Sequence, residues 1–217
     1  MIDTVILDFD GVILESVSVK TDAFRSLFSF VPDHVDEIIE YHLSHGGVSR
    51  FDKFRFIYHD LLKKDLSEEQ FNFLSEEFAK LVYNGVLTSP YVNGAMPFLE
   101  KNHQRFHLFV VSATPEEELI SIIRTRGIAH YLQGVYGAPR KKEDCIRHIL
   151  SERGITSDSA LFVGDSPNDL EAAQKTGVHF IGRVRPGDTD RFSGKPGIER
   201  VIGDLSGLAD CIEGVVR

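Results

Sequence analysis

Thr4-Val5-Ile6-Leu7-Asp8 opens a series of short apolar runs that continues at 106–111, 160–163 and 178–181. This recurrence narrows the possible folds more than any other feature. Runs of this length without polar alternation suit strands buried on both faces of a parallel sheet. Helical spacing lies between them. Leu119, Ile120, Ile122 and Ile123 mark 117–123, and Ile146, Ile149 and Leu150 mark 143–150. Strands alternating with helices predict βαβ units, right-handed crossovers and an α/β, Rossmann-like parallel sheet.

The 217 residues give room for one large domain, or for a core that carries a smaller one. Apolar residues at 42% and charged residues at 26% exclude disordered and fibrous classes. No run approaches the roughly 18–20 apolar residues that span a bilayer, and Met1-Ile2-Asp3-Thr4 has neither a basic n-region nor an apolar h-region. Cys145 and Cys211 stand alone, without metal spacing or a disulfide framework. A cytoplasmic, reduced protein with no membrane partner is expected. Acidic residues outnumber basic ones 33 to 24, for a net charge of −9, which speaks against nucleic acid as a partner. A small anionic ligand stays open, because charge inside a cleft matters more than the total. His42 and His45 have no carboxylates or cysteines nearby that would complete a metal set, so surface or core roles are expected for them.

The stretch from Val17 to Asn84 breaks the α/β pattern. It contains no period-2 strand, and nine of the sixteen phenylalanines fall between Phe24 and Phe78. Phe71, Leu74, Phe78 and Leu81 recur at helical spacing, and Ser67 to Gln70 has the spacing of a capping box. Ala23, Leu27, Ile38, Ile39, Phe54 and Ile57 suit further amphipathic helices. Pro90, Asn93, Gly94 and Pro97 mark the return to the sheet. The expected organisation is a core of residues 1–16 plus 88–217, interrupted by an all-helical insert over 17–87 with its own aromatic core.

Four fragments can carry chemistry. In Asp8-Phe9-Asp10-Gly11-Val12, side chains two apart share one side of a strand end, so both carboxylates can face a crevice beyond the sheet. An Asp-Gly turn that only ends a strand is the alternative. Asp165 follows the apolar run at 160–163, and Ser166-Pro167 reads as a helix N-cap and N1, making Asp169 the N3 residue. Capping explains Asp169 without any ligand but does not explain Asp165. Two strand ends that both present carboxylates suggest a hard divalent cation, Mg²⁺. Thr114-Pro115-Glu116-Glu117 reads as a capping box, placing Ser112 and Ala113 just before a helix start where a hydroxyl and free N–H groups can meet a phosphate. An ordinary loop serine fits equally. Arg140-Lys141-Lys142 precedes a helix expected near Glu143. Cations there oppose the helix dipole, so either a bound anion or a solvated turn balanced by Glu143 and Asp144 accounts for them.

Taken in this order, the four fragments resemble the haloacid dehalogenase-like superfamily of phosphotransferases, over nearly the whole chain. The resemblance implies a nucleophilic Asp8, Asp10 as general acid and then base, and Ser112, Ala113 and Lys142 as phosphate-binding residues. Lys142 is preferred to Lys141 because Ile146 and Ile149 then match the family's helix phase. Mg²⁺ would be held by Asp8, the backbone carbonyl of Asp10, and Asp165, with Asp169 close behind. The helical insert resembles the superfamily's mobile cap. Its Gly46-Gly47-Val48-Ser49-Arg50 is similar to the substrate-facing loop of the β-phosphoglucomutase branch, where the arginine grips a distal phosphate; a structural role for Arg50 is the alternative. That branch has a histidine in its hinge where this chain has Lys20. A Mg²⁺-dependent phosphatase of small phosphorylated metabolites, phosphosugar or phosphoglycolate-like, is therefore expected ahead of a sugar phosphomutase. A non-catalytic phosphate- or metal-binding regulator is the rival from another class. No Gly-x-Gly-x-x-Gly follows the first strand, which disfavours a dinucleotide-dependent oxidoreductase.

Overall fold

The computed structural model describes residues 1–215. In chain order its elements begin with β1 (Thr4–Leu7), α1 (Val17–Leu27), α2 (Val35–Ser44), α3 (Arg50–Phe56), α4 (Glu68–Thr88) and α5 (Ala95–Asn102). They continue with β2 (His107–Pro115), α6 (Glu116–Thr125), β3 (Gly134–Ala138), α7 (Lys142–Arg153) and β4 (Ala160–Gly164). Then come α8 (Pro167–Thr176), β5 (His179–Arg183), β6 (Arg200–Ile202) and α9 (Leu208–Gly214). The six strands form one parallel sheet in the order β3-β2-β1-β4-β5-β6. In this doubly wound order the strand sequence reverses beside β1, which opens a crevice at the carboxyl ends of β1, β2 and β4.

Alternation along β1 explains why its run is apolar throughout. Val5 and Leu7 join one core face and Ile6 joins the other, and all three are fully buried. The four expected runs became β1, β2, β4 and β5. β3 and β6 were not anticipated. β3, Gly134-Val135-Tyr136-Gly137-Ala138, holds two glycines, and β6 is only three residues of half-exposed edge, so neither carries an apolar-run signal.

Everything between Val17 and Thr88 that is regular is helical, including a π-helical turn at Ile57–Leu61. The capping box at Ser67 and Gln70 forms, and Ser67 Oγ accepts from the Gln70 amide at 3.2 Å. Along α4 the buried stripe is Leu74, Phe78, Val82 and Val86, whereas Leu81 from the expected set is 45% exposed. A four-residue step overshoots a full turn by about 40°, so this stripe winds slowly around α4 and leaves Leu81 at its margin. Phe24, Phe28, Phe54 and Phe78 form the aromatic cluster, with Phe24 and Phe78 edge-on at 4.8 Å between centroids. That cluster is not sealed off on its own. Val12, Ile13 and Leu14 join it to the sheet face carrying Val5 and Leu7, so one apolar core runs from the sheet into the helical segment. Among the described residues, no helix is long and apolar enough to cross a membrane.

Candidate active site

The Asp8 amide donates to the Val163 carbonyl at 2.9 Å, so the sheet ladder continues one residue past β1 and holds Asp8 at the strand tip. Beyond it the chain doubles back: the amides of Ile13 and Leu14 donate to the Phe9 carbonyl at 2.9 and 3.0 Å. Gly11 permits this loop in two ways. Its φ of 75° is left-handed, and a Cβ there would come within 2.0 Å of Asp165 Oδ2. The loop therefore lies directly against the acidic residue that follows β4.

Asp8, Asp165 and Asp169 each offer a carboxylate oxygen, and these oxygens all lie within 4.8 Å of one another. Lys142 enters from the first turn of α7 and donates from Nζ to Asp8 Oδ2 at 2.8 Å and to Asp169 Oδ1. Ser166 caps α8, and its Oγ donates to Asp169 Oδ2 at 2.6 Å, fixing that carboxylate from the other side. Lys142 and Asp8 are each 3% exposed. One buried ammonium thus faces three carboxylates. Burial, partly offset by Lys142 and reinforced by Asp169, pushes the Asp8 carboxyl up to about 7. Burial, then Asp8 and Asp169, push Asp165 well above the usual carboxylate range. For Lys142, burial is outweighed by Asp169 and Asp8, so its ammonium is held more firmly than usual.

Asp10 lies in different surroundings. Its carboxylate is not one of the three clustered ones. Ser16 Oγ donates to Oδ1 at 2.6 Å, Thr114 Oγ1 donates to Oδ2 at 3.0 Å, and Lys20 pairs with Oδ2 while reaching Thr114 Oγ1 at 2.8 Å. Burial pulls the Asp10 carboxyl up, but the Lys20 charge and these hydrogen bonds outweigh it and hold the group below its usual range. Two carboxyls two residues apart are thus driven in opposite directions, a pattern that separates acid–base roles.

Several expectations need correction. Thr114 does not cap a helix. β2 runs through Pro115, α6 starts at Glu116 with no side-chain cap bond, and the Thr114 hydroxyl is turned onto Asp10. Ser112 and Ala113 therefore occupy an irregular stretch of strand, where β2 shifts register against β3 between Val111 and Pro115, rather than the edge of a helix N-terminus. Ser112 is buried, and its Oγ accepts from the Thr114 amide at 3.1 Å. Neither Glu143 nor Asp144 pairs with Lys142. Helix α7 begins at Lys142 itself, whose charge is met by Asp8 and Asp169, while Lys141 is exposed. Arg50 lines the same cavity, but one of its terminal nitrogens donates to both carboxylate oxygens of Glu118 at 2.8 Å, and its guanidinium lies over Phe78.

The cavity over Asp8 measures about 610 Å³ and is walled jointly by strand ends and by the helical segment. The segment leans on the core there: Asn168 Nδ2 donates to the Gly47 carbonyl at 2.8 Å. Lys20, Thr114, Lys53 and His42 also line this space. In the sequence Thr114 has the pattern of a cap, Lys20 is only a departure from a hinge pattern, His42 suits surface or core, and Lys53 carries no signal. The one available signal was the placement of Lys20 on a helix leaving the Asp10 loop.

A crevice at the strand-order reversal, ringed by an aspartate pair, a strand-end hydroxyl, a lysine and a second acidic pair, defines a class that comparison also reaches. A family model of haloacid dehalogenase-like hydrolases matches residues 5–183, and the chain belongs to that family. Among curated relatives, it is 31% identical over 101 residues to a phosphoglycolate phosphatase of Vibrio cholerae, covering 44% of this chain and 45% of that one. It is 24% identical over 224 residues to phosphoglycolate phosphatase 1 of Pseudomonas aeruginosa, covering 96% and 79%. The chain spans about half the length of the first of these curated relatives. A hydrolase from Pseudomonas syringae of known structure shares the fold, with a TM-score of 0.80 at 17% identity and 98% of each chain covered.

Proposed function

We propose that this protein is a Mg²⁺-dependent phosphatase that hydrolyses a small soluble phosphate monoester through a phosphorylated Asp8. The observation that carries the reading is the meeting of Asp8, Asp165 and Asp169, of which Asp8 and Asp169 share the one ammonium of Lys142. Three carboxylate oxygens so close suit a hard cation. Asp8 and Asp165, with Asp169 behind, would hold the ion, which would supply charge to offset the repulsion between carboxylate and phosphate dianion.

The chain's own groups then divide the work. An Asp8 oxygen forms a bond to phosphorus as the ester oxygen leaves, and Asp10 gives that oxygen a proton. Ser112, the Ala113 amide and Lys142 steady the transferring oxygens. Water then loses a proton to Asp10 and attacks phosphorus, freeing Asp8 and inorganic phosphate. Lys20 keeps Asp10 ionised at rest, which suits this second half. The negative charge of an arriving phosphate favours its protonated form for the first half. The helical segment acts as a cap that excludes bulk water, and a cavity of about 610 Å³ suits a metabolite rather than a polymer. The relatives named as phosphoglycolate phosphatases point to the same substrate size.

The test is turnover of p-nitrophenyl phosphate. Asp8→Asn should abolish phosphate release and chelation by EDTA should silence the wild type, with Mg²⁺ restoring it. Near-native turnover by the variant, or full activity in EDTA, overturns the proposal. Measuring free phosphate beside sugar-phosphate isomerisation separates hydrolysis from mutase chemistry.

A further inference from the structure

Among the cations that line the cavity, Arg185 and Arg191 are exposed to solvent, and those that are buried or half-buried have a counter-charge with one exception. Lys20 is paired with Asp10, Arg50 with Glu118, and Arg183 with Glu15. Lys53 differs. It is 3% exposed, and its Nζ lies 3.0 Å from His42 Nδ1 and 3.1 Å from the His42 carbonyl, 5.7 Å from the Phe24 ring centre. Among the described residues no carboxylate pairs with it. A buried ammonium with only neutral partners is costly, and natural folds rarely keep one without a use. Burial, with Lys20 next, outweighs the more distant attraction of Asp165 and brings its ammonium down to about 7. Burial and Lys53 hold the His42 imidazole neutral, so His42 Nδ1 accepts from Lys53 and orients it.

Building on the phosphatase reading, we propose that Lys53, steered by His42, anchors a second anionic group of the substrate, a carboxylate or phosphate at the end remote from Asp8. Arg50 is the poorer anchor, because an incoming anion would have to displace the Glu118 carboxylate from it. At Lys53 an anion meets an uncompensated charge instead. The substrate class is therefore a short monoester with anions at both ends. Discrimination against a one-ended ester should be large, because an apolar end would leave Lys53 buried and without a counter-ion.

The experiment compares kcat/KM for ethyl phosphate, 2-phosphoglycolate and propane-1,3-diol bisphosphate, which offer a methyl, a carboxylate and a second phosphate at the far end. The wild type should prefer one of the doubly anionic esters over ethyl phosphate by about ten- to hundredfold. Lys53→Met should collapse that ratio by about tenfold or more, through KM more than kcat, and Lys53→Arg should restore part of it. Lys53→Gln serves the same purpose if the Met variant does not fold. The proposal is overturned if the wild type shows no preference, if the ratio survives in the variants, or if all three substrates fall equally. Calorimetry in Mg²⁺ keeps the two readings separable. If none of the esters is hydrolysed, the phosphatase reading fails, and the anchor then stands or falls on binding alone. Tighter binding of 3-phosphonopropionate than of propylphosphonate, lost on Lys53→Met, supports it; equal binding of the two by the wild type refutes it.

Discussion

Replacing Asp8 by asparagine should stabilise the metal-free protein at alkaline pH while destroying its turnover, and the size of the gain follows from the cluster's charges. Asp8 is 3% exposed and its carboxyl is pushed from 3.8 to about 7. Between those values the folded chain binds more protons than the unfolded one, so stability falls as pH rises. Above pH 7 the ionised carboxylate therefore costs the fold on the order of 4 kcal/mol, at about 1.4 kcal/mol per pH unit. Asparagine has nearly the same shape and no charge, so it removes that cost. That cost is already net of the attraction of Lys142 for the carboxylate. The gain at pH 8 in EDTA is therefore about 4 kcal/mol, or a Tm rise of roughly 8–16 °C for a chain of this size. By pH 5 the titration cost is less than half its alkaline value. The advantage of the variant should shrink in proportion there. Thermal scans of both proteins at pH 5 and pH 8, without divalent ions, provide the measurement. A variant that is less stable than the wild type at pH 8, or equally favoured at both pH values, would refute the electrostatic account.

Two further predictions concern the surroundings of the site. Gly11→Ala forces a Cβ into the space of Asp165 Oδ2, so the Mg²⁺-induced rise in Tm should be largely lost along with turnover; an unchanged Mg²⁺ response would show that Asp165 does not bear on the ion. Glu118→Gln leaves Arg50 buried without a counter-charge, since the pair's side chains are only 5% and 13% exposed. Urea unfolding should register a loss of about 3 kcal/mol, and the double variant with Arg50→Met should recover most of it. Strict additivity of the two single changes would sink that assignment.

Much of the architecture can be read along the chain because its signals are local. Thr4–Leu7 is apolar at every position, and only a strand covered on both faces needs that. The Ser166-Pro167-Asn168-Asp169 capping box formed as its spacing implied, because the interacting atoms lie within one helical turn. The paired aspartates at 8 and 10 and the acidic residue at 165 were visible for the same reason: each follows directly on a strand. Where β2 ends was not visible. Thr114-Pro115-Glu116-Glu117 has the composition of a cap, yet pairing of Pro115 with Ala138 of β3 keeps the backbone extended there, and that competitor is remote in sequence.

Sequence alone thus determined the α/β class, the helical interruption and the positions of the acidic residues, since each depends on neighbours within a few residues. Which charges meet was decided only by the tertiary structure. Lys142 lies 134 residues from Asp8, Arg50 lies 68 from Glu118, and nothing nearby in the chain marks Lys53 as a buried cation without a paired carboxylate. Pairing energies depend on distance through space and on exclusion of water, and both are set only when the sheet and the helical segment close around one cavity.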